Sequence, residues 1–598
     1  MAVGAQLAEP LQKGWPPRTG RLYLLAACAI TLLAAALRLY KLGDANVWED
    51  EAFTAWLAQL GIGHMLLATA GDTHPPLSYL LFHSWEQWAG AGAYGLRFLS
   101  TAFGVAAVAV VISLGRRLGG PAAGIAAGFL LATSRFHVWW SQQIRMYSLV
   151  ALLGAVSVFC FLGAISAWKA RPTRARWLLL AMAAANLSGL FSLYFFVLLI
   201  LLESLFVLVA LIRRFSRPLF AWWTAVQLAS VLLFLPWLAY FRQHAITFSS
   251  RGAPRLAPWQ FVESSWSELV LGIDTNVAAL RPLNLLLAAV VAGLLAWLTI
   301  RRRAAWPVAW WLALLVAALP TTAYLITLPT GLFFSPTYQT RYQLMAVPAL
   351  AVLVGWGISS LPKRLLPIPL LGFAALGAYT LGPLYRDRHL VDDYQTLARF
   401  VQAYEQPGDL IVFDPDSAFD LFLFQYRGRL PWTGLPVNQT LDDATTDGYF
   451  SRWTRSSRSL WLVQVAAGHD AGSARPVRGW LDGHLKATLQ RAVGNKLVVL
   501  YMPRDMPPRR LNPAFAAQQP VSGVPGVEGF DMPIQEVRPG DVLNLSAYGQ
   551  ATARARLRLG DSESASQPLP DQAAFSLPIN PSIPSGWQPL TLVLANGR

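Results

Sequence analysis

Asp50 and Glu51 stand in the stretch NVWEDEAFTAWL, residues 46–57, directly behind Glu49 and between two tryptophans. Side chains adjacent on a helix point roughly 100° apart, so the two carboxylates cannot both face one atom. A glycosidase-type pair on opposite sides of one bond is therefore a poor fit. One catalytic base beside one supporting or metal-binding carboxylate fits better. Acids at a helix start also cap it and favour its dipole, a structural role open to both.

The complementary groups are cations. His74 precedes Pro75 and Pro76, prolines restrict the turn around it, and an imidazole so held can donate to an anionic oxygen. Arg97, Arg145 and Arg341 lie at the ends of apolar runs, where a charge is costly and is usually paired or functional. A guanidinium matches phosphate oxygens with two parallel bonds. Snorkelling to headgroups is the alternative, and Arg97 and Arg38 invite that reading more than Arg145 and Arg341. Tyr147 and Tyr342 follow two of these arginines, as interfacial aromatics or as faces on which a sugar stacks. The sequence has no HExxH and no close His pair for zinc. No cofactor is indicated by motif, and a divalent cation on the oxygens of residues 49–51 is left as an open expectation. A boundary acid, a boundary histidine and boundary arginines together suit a phosphate-bearing lipid donor and an acceptor hydroxyl.

Those residues need elements to carry them. Of the 598 residues 55% are hydrophobic and 13% charged, and apolar runs occur near 22–40, 94–115, 118–134, 147–168, 177–193, 196–212, 219–241, 282–300, 305–327, 343–361 and 365–385. About 20 apolar residues cross the hydrocarbon layer, so these are eleven candidate spans, with 118–134, short and rich in Gly and Ala, the weakest. With the N-terminus inside, residues 1–21, 115–119, 169–176, 213–218, 300–304 and 362–365 hold 17 Lys and Arg against one acid, Glu9. This asymmetry is the positive-inside pattern. It absorbs the whole formal charge of +16, leaving 31 basic and 31 acidic residues elsewhere. A nucleic-acid partner is thereby excluded, and an odd span count places the C-terminal part outside.

Cys28 and Cys160 both fall in apolar runs, so there is no disulfide framework. Residues 1–21 read as a cytoplasmic N-terminus leading into a retained anchor. Residues 22–385 form a transmembrane module, with an extracytoplasmic loop, 41–93, carrying the acids on an interfacial helix whose Trp48, Ala52, Trp56 and Leu60 share a face. A second such helix follows Pro75 and Pro76. Residues 386–503 predict an extracytoplasmic α/β domain, with strands at DLIVFDP, SLWLVQV and NKLVVLYM and helices near 392–404, 416–426 and 478–491. Residues 504–598 predict a proline-rich linker and a β-rich end piece. There is no internal repeat, no GxxxxGK[ST] loop and no dinucleotide fingerprint.

In order along the chain, LRLYKLGDANVWEDEAFTAWL, THPPLSYLLFHSW, LRFLSTAFGV, SQQIRMYSLVALL and TRYQLMAVPALAVLVGWG resemble the membrane part of GT-C type glycosyltransferases. The bacterial relatives of protein O-mannosyltransferases and of the lipid A aminoarabinose transferase are the nearest in look, over about residues 20–385. The resemblance implies a multi-pass protein of the cell (inner) membrane that transfers a sugar, with inversion, from a polyprenyl-phosphate carrier to a glycan, lipid or protein acceptor outside the cytoplasm. It implies Asp50 as general base with Glu51 in support, His74, Arg145 and Tyr147 on the donor side, and Arg341 and Tyr342 at the carrier phosphate. Ile144 replaces an alanine frequent in the family, and SLYFF, with Tyr194 only, replaces a frequent His-Tyr pair. A polytopic transporter or flippase of lipid-linked sugars is the alternative. It predicts a repeated half and central charges, whereas Glu203 is almost the only central charge.

Overall fold

The computed structural model describes residues 17–595 apart from 73, 214, 245–255, 274, 303–305, 329–337, 387–392, 416–418, 437–440, 466–475, 508, 510–518, 521–526, 534–536, 538–541, 550–553, 569–570, 581, 584–585 and 587. Most of the expected cytoplasmic N-terminus and of the proline-rich linker therefore lies outside the described residues. The chain divides into two units: residues 1–44 with 57–387, and residues 45–56 with 388–598.

The first unit is a helical bundle. Each of the eleven apolar runs forms a helix: Pro17–Leu39, Ala93–Gly119, Pro121–Thr133, Tyr147–Ala167, Pro172–Leu190, Val197–Arg213, Arg217–His244, Arg281–Arg301, Trp306–Thr327, Ala346–Ser359 and Pro367–Arg386. Among the described residues, eight helices are long and apolar enough to cross a membrane. The other three runs fall short for different reasons. Pro172–Leu190 opens with Arg174 and Arg176. Pro121–Thr133 and Ala346–Ser359 have only 13 and 14 residues.

These two short helices are the packing centre. A helix apolar on every side belongs in the interior, and Ala346–Ser359 is buried from Ala346 through Ile358. Small residues let backbones approach where lipid supplies no hydrophobic drive between helices. A Cβ on Gly355 would sit 2.6 Å from the Ala127 backbone nitrogen, and one on Gly124 would sit 2.5 Å from the Ile112 carbonyl oxygen. The glycine and alanine content that weakens 118–134 as a span is what fits it to the interior. Toward the outside, Arg217–His244 exposes Leu228, Val231, Leu232, Leu233, Leu235 and Leu238, a surface suited to acyl chains.

Arg38, at the end of the first helix, does not snorkel. It is fully buried and donates to the carbonyls of Ala34 at 3.0 Å, Leu131 at 3.1 Å and Ala132 at 3.1 Å, and to His137 Nδ1 at 2.8 Å. Leu131 and Ala132 end Pro121–Thr133, where carbonyls lack partners within their own helix. Arg38 therefore ties the first helix to the end of the third.

Residues 41–93 contain three helices, Glu49–Gln59, Ile62–Gly71 and Leu77–Ala89. The middle one is not among the expected two.

The second unit contains a five-stranded sheet made of β1 (Asp409–Asp414), β2 (Trp432–Gly434), β3 (Ser459–Val465), β4 (Lys486–Val493) and β5 (Lys496–Met502), in the order β2-β1-β3-β5-β4. β2, β1 and β3 run parallel; β5 and β4 pair antiparallel. Alternate residues of β1 face two cores. Ile411 and Phe413 join Leu397, Val401 and Trp461, while Leu410 and Val412 join Phe450, Leu462 and Leu481. This is the expected α/β domain with one correction. The helix expected over 478–491 ends at His484, and 486–493 is strand β4.

Beyond it lie two four-stranded sheets, one built on Val542–Gly549 and Asp571–Pro578 and the other on Arg554–Leu559 and Leu590–Ala595. Asn544 Nδ2 donates to Asp393 Oδ2 at 2.7 Å and Arg399 pairs with Asp531 at 2.5 Å, joining the end piece to the α/β domain.

Candidate active site

Three basic side chains, His74, Arg145 and Arg341, group in the membrane unit. His74 follows Ile62–Gly71 and precedes the helix that starts at Leu77, and Leu77 N donates to Phe191 O at 2.9 Å. Its Nδ1 lies 3.3 Å from Asp72 Oδ2, the placement of an N–H donor to a carboxylate, and the Tyr79 hydroxyl donates to the same oxygen at 3.1 Å. Arg145 occupies the turn before Tyr147–Ala167, is 3% exposed, and has its carbonyl held by the Ser100 hydroxyl at 3.3 Å. Burial pushes the His74 imidazole below its ordinary value of 6.5, Asp72 pulls it back up, and the charges of Arg145 and Arg341 push it down again. Burial is the largest of these causes, and the two arginine charges act in the same direction.

Arg341 sits in the 3₁₀ turn Thr340–Gln343, with its guanidinium carbon 5.8 Å from the Tyr147 ring centroid. Tyr342 stacks on Phe195 at 4.6 Å, and Tyr147 meets the edge of Trp140 at 4.7 Å. The turn is fastened to the helix Pro258–Leu271. Gln343 Nε2 donates to Ser265 O at 3.1 Å, Ser265 and Tyr338 share a hydroxyl contact of 2.9 Å, and Thr340 donates to Glu268. Such anchoring holds a guanidinium fork ready for an anion without reordering the loop.

Arg97 is fully buried and donates to Leu42 O at 3.1 Å.

The acids belong to the second unit. Trp48 O accepts from Glu51 N and Ala52 N, both at 3.0 Å, and the Thr54 hydroxyl donates to Asp50 O at 2.9 Å. All three acids lie in the first turn of Glu49–Gln59. There the unpaired N–H groups and the dipole favour carboxylates. Their exposures differ sharply: Glu49 is exposed, Asp50 half-buried and Glu51 fully buried. Glu51 is thus the most enclosed of the three acids and Asp50 lies between the extremes. Among the described residues, no group of three or more His, Cys, Asp or Glu side chains is arranged to hold a metal ion.

No protein-family model matches the sequence, and no curated protein matches it. Solved structures do. ArnT from Cupriavidus metallidurans in the apo state is similar over 81% of this chain and 98% of its own, at 14% identity and a TM-score of 0.56. The same protein bound to undecaprenyl phosphate is similar over the same shares, at 13% identity and a TM-score of 0.51. The fold is of the GT-C type.

Within this GT-C fold the residues that sequence reasoning missed are those holding the cluster in place. Asp72 lies two positions before His74 and was visible as the acid of GDTHPPL. Phe195, the stacking partner of Tyr342, fills the SLYFF segment where the expected His-Tyr pair is absent. Ser100, Ser265 and Glu268 carry no signal, because a serine or glutamate on an apolar helix does not announce a partner far along the chain.

Proposed function

We propose that the chain is an inverting glycosyltransferase that moves a sugar from a polyprenyl-phosphate carrier to an acceptor hydroxyl of a lipid, glycan or protein, on the extracytoplasmic face of the membrane. The grouping of His74, Arg145 and Arg341 carries this reading, since two guanidinium groups whose charges act on a neighbouring imidazole suit a phosphate. The undecaprenyl phosphate bound to ArnT, a protein of the same fold, supports a lipid-linked phosphate as the ligand.

In this reading Asp50 takes the proton of the acceptor hydroxyl while the oxygen attacks the sugar's anomeric carbon. The bond from that carbon to the phosphate oxygen breaks on the opposite side, inverting the centre. The phosphate leaves as a monoester with one more negative charge than the diester carried. Arg341 and Arg145 stabilise that added charge, which makes their contribution larger in the transition state than in the bound donor. Glu51 supports the base, and Tyr147 and Tyr342 border the donor.

The test is sugar transfer by the purified protein from polyprenyl-phosphate sugars to an acceptor mixture. Loss of a general base lowers turnover on the order of 10² to 10⁴-fold, so Asp50→Asn should bind the donor and fail to transfer. Full turnover by Asp50→Asn would sink the mechanism.

A further inference from the structure

The stretch that carries the acids, residues 45–56, groups with residues 388–598 and not with the helices on either side of it in sequence. Its attachment is a ladder of aromatic rings. Phe53 lies 5.7 Å from Trp56, Trp56 meets Phe419 edge-on at 4.9 Å, Phe419 stacks on Trp432 at 4.9 Å and 11°, and Trp432 meets Phe413 of β1 at 5.9 Å. Phe413 is fully buried in the α/β domain, so the ladder runs from the acid-bearing helix into that domain's core. Ring pairs of this kind add about 0.5–1.5 kcal/mol each beyond their burial.

The residue after Phe419 is Asp420, only 4% exposed, with Oδ1 accepting from Leu421 N at 2.7 Å. Burial, and the charges of Glu49 and then Asp50, push its carboxyl up to about 8. Burial and these two charges favour the protonated form of Asp420. The helix Tyr394–Tyr404 packs against Phe419–Gln425. It presents Arg399, which is engaged by Asp531, and the adjoining Glu405 binds the Tyr426 hydroxyl.

We propose that the C-terminal domain sets the pose of the catalytic carboxylate, with Phe419 packed against Trp56, Trp432 backing Phe419, and Asp420 adjoining Phe419 in the chain, so that these three are positioning residues for Asp50. This rests on the reading of Asp50 as the base. Trp56 is less than two helical turns beyond Asp50, so a shift of its ring moves the carboxylate with it. Ionisation of Asp420 would set a third negative charge beside Glu49 and Asp50 and drive that turn away.

The test uses the full-length protein with the polyprenyl-phosphate sugar that it turns over. Misplacing a reacting group by about 1 Å costs on the order of 100-fold, so Phe419→Leu and Trp432→Ala should lower kcat by about 10- to 100-fold with donor KM unmoved. Trp432→Phe, which keeps a ring, should restore most of the loss. The wild type should lose kcat as pH rises through about 8, and Asp420→Asn, which cannot ionise, should remove that alkaline loss. Full kcat in Phe419→Leu and Trp432→Ala, or an alkaline limb unchanged in Asp420→Asn, overturns the proposal. Should Trp432→Ala not fold, Trp432→Phe and the pH profile of Asp420→Asn still decide it. Asp50→Asn separates the two readings. Full turnover by that variant removes the base itself, whereas an inactive Asp50→Asn beside fully active ladder variants removes only the positioning role.

Discussion

The Arg341 guanidinium lies 5.8 Å from the centre of the Tyr147 ring. The two residues are far apart in sequence, Tyr147 opening one helix and Arg341 lying within the turn Thr340–Gln343. A guanidinium over an aromatic face keeps its planar fork oriented. An ammonium group would keep the charge and lose the fork. Arg341→Lys should therefore weaken donor binding about tenfold, equivalent to about 1.4 kcal/mol, and Arg341→Ala further still. Calorimetric titration with a polyprenyl-phosphate sugar checks this. Equal affinities for Arg341→Lys and wild type would mean that charge alone matters.

His74 predicts a pH dependence of the same binding step. Its imidazole is held below 6.5 by burial and by the two arginine charges, against the pull of Asp72, so the free protein carries it neutral at pH 7. An arriving phosphate favours the protonated form and raises its pKa, so binding takes up a proton. Donor affinity should then rise as pH falls below about 7, by at most about tenfold per pH unit for one proton. His74→Gln should flatten that slope. An affinity that weakens on acidification would reverse the assignment.

The membrane helices were legible because apolarity over a span's length needs no tertiary context. Arg145 and Arg341 drew notice for a related reason, since a charge at the end of an apolar run is costly, and His74 for the prolines that follow it. Arg38 shows the limit of that rule. Its position alone does not distinguish snorkelling from the inward bonds it makes to Leu131 O and Ala132 O. The strand Lys486–Val493 was hidden because Lys, Ala, Leu, Gln and Arg favour helix locally, whereas pairing with β5 decides the outcome. The association of residues 45–56 with 388–598 was not legible either. The tryptophans there suit a membrane interface by type, and only the fold brings Phe419 to Trp56.

Glu203 is a buried acid inside the helix Val197–Arg213, with Ser157 Oγ donating to Oε1 and Asn186 Nδ2 to Oε2, both at 2.7 Å. Glu203→Leu would strand both donors. Each unsatisfied buried group costs about 1–3 kcal/mol, so the unfolding temperature in detergent should fall clearly. Removing the donors as well, in Glu203→Leu with Ser157→Ala and Asn186→Ala, should recover much of the loss, because these residues form one network. If the triple variant is no more stable than Glu203→Leu, the network does not hold these helices together.

In the C-terminal unit the buried pair Asp409–Arg509 makes the corresponding prediction for the β1 end of the sheet. The Asp409 Oδ1 atom accepts from Arg509 Nη2 at 2.9 Å, while Oδ2 accepts from Gln406 N at 2.9 Å and Trp461 Nε1 at 3.2 Å. Arg509 also donates to Ser459 Oγ at 2.9 Å, so it ties the first residue of β1 to the first of β3. Removing one partner leaves a buried charge uncompensated, at a cost of about 3–5 kcal/mol, whereas replacing both with apolar residues is often close to neutral. Arg509→Met should destabilise the domain by that amount, and Asp409→Leu with Arg509→Met should recover part of it. The recovery is incomplete because Gln406 N and Trp461 Nε1 would still lack their acceptor. Pulse proteolysis across a urea series, following the C-terminal domain fragment, reads both variants. A double variant less stable than Arg509→Met would mean that the hydrogen bonds to Asp409 outweigh the ion pair.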